Sequence, residues 1–154
     1  MKKIMNIQLL GFPVLTTLIA AFWLLVVTWM WWGSLFNGEM FPALSWPELN
    51  GLTEADLNGL STFWSMLGVL AIFVQTLGLT MVLKWRSSLT IMTAVQTGLL
   101  VSIMFVVPIA AYPLIFRPEH NLALFLVDAG NYVIGLVTTA VLLTVLPGIR
   151  QESA

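Results

Sequence analysis

Residues 122–146 read LALFLVDAGNYVIGLVTTAVLLTVL, an unbroken apolar stretch that carries one charged side chain, Asp128. About 20 residues of α-helix cross the roughly 30 Å hydrocarbon core of a bilayer, so this stretch is long enough to span a membrane. Its apolarity is continuous rather than alternating, which favours a helix over a strand. Since backbone groups in lipid must be hydrogen-bonded internally, we predict a transmembrane α-helix here.

Three further apolar stretches precede this one, at residues 9–32, 60–83 and 89–116. The chain of 154 residues is 59% hydrophobic and only 8% charged, which is too little polar surface for a water-soluble globule. Four spans and their connections use nearly the whole length and leave no room for a second domain. We therefore predict a single all-α domain over residues 1–154, an integral membrane four-helix bundle with its outer loop at residues 33–59.

The basic residues predict the orientation of this bundle. All but one of them lie on the same side of a four-span threading, namely Lys2, Lys3, Lys84, Arg86 and Arg150. The exception is Arg117. Because Lys and Arg near span ends stay on the cytoplasmic side, we expect both termini in the cytoplasm and a multi-pass protein of the cell's inner membrane.

Tryptophans mark the predicted ends of the spans, because indole rings prefer the level of the lipid headgroups. Trp85 lies at the predicted inner surface. Five others crowd the predicted outer surface, namely Trp29, Trp31, Trp32, Trp46 and Trp64. We expect these six side chains to anchor the bundle at the two membrane surfaces.

Asp128 is the most informative residue in the spans, because an ionisable group at membrane depth is costly and normally faces protein or water. Asn131 and Tyr132 lie beside it, three and four residues further along the same helix face. As a structural group near the outer surface, Asp128 is solvated, paired with Arg117, or accepts a hydrogen bond from Tyr112 or a tryptophan. As a functional group, it carries protons or binds a cation. The sequence leaves both interpretations open.

Polar side chains recur at a similar depth in all four spans. Counted from the predicted cytoplasmic ends, each lies roughly 8 residues or about 12 Å deep; they are Thr16/Thr17, Gln75/Thr76, Gln96/Thr97 and Thr138/Thr139. One explanation of this polar layer is helix packing, in which each interhelical hydrogen bond contributes about 1 kcal/mol. The alternative is a hydrophilic path in which Gln75 and Gln96 contact a substrate or an ion.

Small and polar residues at steps of three or four define one stripe on each span, and we expect these stripes to face into the bundle. The stripes are Thr17, Ala21, Leu24 and Thr28; Ser61, Ser65, Gly68, Ile72 and Gln75; Thr93, Gln96 or Thr97, and Leu100; and Asp128, Asn131, Gly135, Thr138 and Leu142. Pro108 removes a backbone donor and predicts a kink in the third span, and Pro113 predicts a second break.

The composition excludes several kinds of chemistry. The chain has no cysteine and a single histidine, His120, so it offers no disulfide, thiolate metal site or histidine-rich centre. A net charge of −1 without a basic patch argues against binding nucleic acid. No nucleophile with an adjacent base and no phosphate-binding loop occur. We expect no enzyme activity, no metal and no cofactor.

Three segments resemble the uncharacterised membrane family named domain of unknown function 1761. They are residues 31–36 (WWGSLF), 51–57 (GLTEADL) and 125–132 (FLVDAGNY). The chain departs from that family in having Trp32 where a tyrosine is usual and a longer stretch between Phe36 and Trp46. The resemblance implies a small four-helix membrane protein and contributes no catalytic residues.

Two functions remain open from the sequence. The first is a binding or scaffolding membrane protein, either a homo-oligomer or an accessory subunit of another membrane protein, with lipid as its surroundings. The second is a small transporter or channel, proton-coupled through Asp128, with Gln75, Gln96, Asn131, Tyr132 and Thr138 as further candidates for its polar site.

Overall fold

The computed structural model describes residues 8–9, 12–36, 51, 62–86, 90–116 and 122–146. Apart from a short antiparallel pairing of β1 (Gln8–Leu9) with β2 (Phe12–Pro13), the elements among these residues are helices. Four of the helices are long and apolar enough to cross a membrane. They are Val14–Leu35, Met66–Lys84, Ile91–Phe116 and Leu122–Val145, called the first to fourth spans below. The prediction of an all-α chain with four helices of membrane-spanning length and apolarity is confirmed.

The first span begins at Val14 rather than at Leu9, because β1 and β2 occupy the start of the predicted stretch. The α-helix Val14–Met30 then continues as a π-helical turn, Trp31–Leu35. Its buried side is made of small residues and one leucine, namely Thr16, Thr17, Ala20, Ala21 and Leu24. This face matches the predicted stripe, and its short side chains let a neighbouring helix approach closely.

The second span belongs to the helix Thr62–Lys84, and the third span starts with the helix Ile91–Val101. The third span begins with a capping box, in which the Thr93 backbone N–H donates to Thr90 Oγ1 (3.2 Å) and the Thr90 N–H donates to Thr93 Oγ1 (2.8 Å). Reciprocal bonds of this kind satisfy backbone donors that a helix start leaves free. The box therefore defines where the third span begins.

The third span changes its winding before Pro108. Residues Ser102–Val106 form a π-helical turn, after which the α-helix Val107–Phe116 continues to the end of the span. A proline cannot donate to the carbonyl one turn back, and a wider turn is one way for a helix to accommodate this. The predicted second break at Pro113 is wrong, because this helix runs on through that position.

The fourth span, Leu122–Val145, packs against each of the other three. A single buried cluster joins all four spans, namely Ala20, Leu24, Leu79, Leu83, Ala94, Leu136, Ala140 and Leu143. The third and fourth spans approach each other closely at Gly98, where an added Cβ would lie 2.7 Å from Val137 Cα. The four helices therefore form one bundle, with the fourth span at its centre.

Candidate functional site

Asp128, Asn131 and Tyr132 lie together on one face of the fourth span, as helix geometry requires. Asp128 and Tyr132 are half-buried, whereas only 5% of Asn131 is exposed. Tyr132 lies one turn beyond Asp128, near enough for the two side chains to interact electrostatically. Three of the predicted site residues, Asp128, Asn131 and Tyr132, thus lie together in the half of the helix that begins at Leu122.

Trp31 of the first span lies across this part of the fourth span. Its indole Nε1–H donates to the backbone oxygen of Val127 at 3.1 Å. The same ring lies 3.0 Å from the position that a Cβ on Gly130 would occupy. Because Gly130 has no Cβ, the Trp31 ring can lie close to the backbone of the fourth span near Asp128.

Trp31 also belongs to a small aromatic cluster that closes this end of the bundle. Its ring centroid lies 5.2 Å from that of Phe36, and the Trp32 centroid lies 6.1 Å from Phe36. These three side chains pack on Leu124 and Val127 of the fourth span. The sequence predicted Trp31 and Trp32 as membrane-surface anchors, but both are half-buried because they pack on the fourth span.

The other tryptophans divide into two groups. Trp29 and Trp85 are 67% and 77% exposed, as surface anchors would be. Trp46 and the side chain of Trp64 lie outside the part of the structure that is described. Trp23, which the sequence did not single out, donates from Nε1 to Thr138 Oγ1 at 3.2 Å. Its position facing Thr138 depends on how the first and fourth spans cross. The sequence around Trp23 does not predict that crossing.

Thr138 is held by this contact and by its own helix. Its hydroxyl donates to the Ile134 carbonyl at 2.8 Å and lies 3.2 Å from the Gly135 carbonyl, while it accepts from Trp23. A hydroxyl carries one proton, so Thr138 keeps no free donor for a substrate. Its role in this structure is to join the first and fourth spans.

Three other hydroxyls of the predicted polar layer also bond along their own helices, and so do three buried hydroxyls elsewhere in the spans. Each donates to the carbonyl four residues back at 2.7–2.9 Å; they are Thr17, Thr76 and Thr97 in the layer, and Thr80, Ser102 and Thr144 outside it. Such bonds satisfy a hydroxyl without a neighbouring helix or a ligand. The geometry of the layer therefore supports helix packing over a hydrophilic path.

Asn131 and Thr139 are exceptions to this rule. The Oδ1 of Asn131 and the Oγ1 of Thr139 are buried and have no hydrogen-bond partner within the described ranges. Gly135 lies between them on the same helix face, where Leu24 of the first span packs 2.8 Å from the position of an added Cβ. A buried polar atom without a partner costs about 1–3 kcal/mol, so these two are the unexplained polar groups of the core.

Gln75 and Gln96 do not join this cluster. Gln75 is half-exposed and Gln96 is exposed, while Thr76 and Thr97 take the buried positions next to them. Consecutive helical residues lie about 100° apart around the axis, so an inward Thr97 turns Gln96 towards the outside. The structure therefore corrects the predicted inward positions of the two glutamines.

The described residues contain no group of three or more His, Cys, Asp or Glu side chains that could hold a metal ion. His120 and Arg117, the proposed partner of Asp128, lie outside the described ranges. The chain matches no protein-family model, no curated protein and no solved structure. The resemblance to domain of unknown function 1761 therefore stays a prediction.

Proposed function

We propose that this protein is a membrane-embedded assembly protein, a homo-oligomer or an accessory subunit, without enzyme activity. The observation that carries this proposal is the way its polar groups are used. The hydroxyls near the core bond mostly to their own helices, which argues against a polar path through the bundle. Gln96 is instead exposed on the side of the bundle that would face lipid, and Gln75 is half-exposed there. Polar groups that face outwards in a membrane support association with another helix.

The proposal includes an orientation with both termini in the cytoplasm and a location in the cell's inner membrane. The support for this orientation is the distribution of basic residues, with Lys84 and Arg86 at the end of the second span. Exposed Trp85 beside them supports a membrane surface at that end. The outer surface would then be the end that carries the Trp31, Trp32 and Phe36 cluster.

The assembly proposal is tested by purifying the tagged protein from its own membranes in a mild detergent. Light scattering coupled to size-exclusion chromatography then gives the protein mass of the particle without its detergent. We expect a mass of two or more chains, or one chain with a stoichiometric membrane-protein partner. A lone monomer that co-purifies with nothing would contradict the proposal.

A second function, proton or cation movement through Asp128, is favoured by one observation. The buried Asn131 Oδ1, which lacks a partner among the described residues, lies one turn from the Asp128 carboxyl. Two oxygen acceptors side by side suit a hydrated cation or a proton carrier. Flux of protons and alkali cations into reconstituted vesicles tests this function, with Asp128→Asn as the variant. Absence of any flux, or equal flux in the variant, would rule out proton or cation movement through Asp128.

A further inference from the structure

We propose that two copies of this chain associate through one flank of the second span, where the Gln75 side chains of the two copies bond each other. This inference rests on the proposed assembly function and specifies its partner. The flank consists of Gly68, Ala71, Gln75 and Gly78, which follow each other at steps of three and four and so share one side of the helix. We call this surface the Gln75 flank.

Gln75 lies deep within the predicted membrane span. Gln75 lies nine residues before the end of the helix Thr62–Lys84 and thirteen residues after its start, so about 13 Å of helix or more separates it from either end. A glutamine side chain is too short to reach water over that distance. Across the described ranges Gln75 makes no hydrogen bond, although it is partly exposed at the helix surface. Lipid chains offer neither donor nor acceptor, so the amide needs another protein group.

Gln96 differs from Gln75 in its distance from the end of its span. It is also exposed and makes no hydrogen bond to a described residue, but it lies in the second turn after Ile91, about 8 Å from the start of the third span. Side chains on a helix lean towards its N-terminus, which here is the near surface. Gln96 can therefore extend towards water, whereas Gln75 cannot.

The surface around Gln75 has room for a second helix. Gly68, Ala71 and Gly78 are exposed, and an added Cβ at Gly68 or Gly78 would meet nothing within 4 Å. The same helix packs on the rest of the bundle through different residues, namely Thr76, Leu79, Thr80 and Leu83. Small residues let two backbones approach closely, so the Gln75 flank can bring two amides within bonding distance.

A second copy of the chain is the partner that best satisfies the hydrogen-bonding groups of the Gln75 side chain. A two-fold axis along the membrane normal places the same residue of both copies at the same depth. A carboxamide has both donor and acceptor atoms, so two glutamines that face each other satisfy one another reciprocally. A different membrane protein would need its own polar group at this depth.

The first test counts subunits in vesicles by single-molecule photobleaching over a range of protein-to-lipid ratios. We expect the natural protein to dimerise and Gln75→Leu to raise the dimer dissociation constant roughly tenfold, because two interhelical hydrogen bonds are lost. Gln96→Leu is the matched control and should leave the constant unchanged. Equal constants for the natural protein and Gln75→Leu would overturn the proposal, as would an equal loss in both variants. Far-UV circular dichroism of each variant checks that the helices are retained.

The second test uses the absence of cysteine from the natural sequence. Gly78→Cys places one thiol on the Gln75 flank, and mild oxidation in the membrane should yield a disulfide-linked dimer. Leu100→Cys, exposed on the third span, is the matched control and should stay monomeric. A dimer linked through position 100 and none through position 78 would overturn the proposal.

The outcomes also separate this inference from the function on which it rests. A monomer that still co-purifies with another membrane protein would overturn self-association and leave the assembly function standing. A dimer whose dissociation constant is unchanged by Gln75→Leu would overturn the flank alone. A monomer without any partner would overturn both.

Discussion

Glycine positions show how closely these helices approach each other. Gly98, Gly130 and Gly135 each lie where an added Cβ would meet an atom of a neighbouring span at 3.0 Å or less. The neighbours differ in kind, since Gly98 faces the Val137 backbone whereas Gly135 faces the end of the flexible Leu24 side chain. Only the first cannot be relieved by a change of rotamer, so Gly98 is the least replaceable of the three.

Gly98→Ala is therefore expected to lower the free energy of unfolding by about 1–3 kcal/mol, because the third and fourth spans must move apart. The matched control is Gly33→Ala, whose new methyl group would lie 3.5 Å from the Trp29 side chain, an ordinary van der Waals contact. That control should be neutral or stabilising by up to about 1 kcal/mol, since alanine favours a helix. Reversible unfolding in mixed micelles, followed by far-UV circular dichroism, measures both. Equal effects would contradict the close approach at Gly98.

Trp31 offers a second test at the residue scale. Trp31→Phe keeps an aromatic ring but removes the Nε1–H that donates to Val127 and part of the contact with Gly130. We expect a loss of about 1–2 kcal/mol in the free energy of unfolding. Trp29→Phe, at an exposed position of the same span, should change it by less than about 0.5 kcal/mol. Similar losses in the two variants would show that the Trp31 contacts contribute little.

Among the elements, apolar length and continuity were sufficient to predict the four membrane-length helices. The buried face was predictable only for part of the bundle. The first span buries Thr17, Ala21 and Leu24 as its stripe predicted, and the fourth buries Asn131 and Gly135. The second span instead exposes Gly68 and buries Leu79 and Leu83. Lipid and the interior of the bundle are equally apolar, so the hydrophobicity of a residue does not show whether it faces lipid or the neighbouring helices.

The start of the third span gives a prediction at the element scale. Thr90→Ala removes the oxygen that accepts from the Thr93 backbone N–H and should lower the free energy of unfolding by about 1 kcal/mol. Thr90→Ser retains that oxygen and should restore most of the loss. Unfolding in mixed micelles compares the two variants with the natural protein. If serine and alanine destabilise equally, the capping box is not what stabilises this end.

The bundle as a whole depends on the fourth span, which meets the other three and carries the candidate cluster. The apolar length of this span and the cost of an intramembrane charge single out Asp128 from the amino-acid sequence alone. The contacts of Trp23 and Trp31 could not be predicted, because they depend on where the first span crosses the fourth. The unsatisfied Asn131 Oδ1 could not be predicted either, because the burial of a single atom depends on how the whole bundle packs. Sequence thus located the candidate cluster but not the groups that surround it.

The proposed orientation of the whole molecule is open to a direct test, because the chain has no cysteine and carries serines on both predicted sides. Ser87→Cys and Ser153→Cys should resist a membrane-impermeant maleimide in intact cells and react after the membrane is opened. Ser45→Cys, in the predicted outer loop, should react in intact cells. The expectation follows from the basic residues that keep the chain ends and the connection between the second and third spans in the cytoplasm. Labelling of position 153 together with protection of position 45 would reverse the orientation. The Asp128 cluster would then lie near the cytoplasmic surface, with its access to protons from that side.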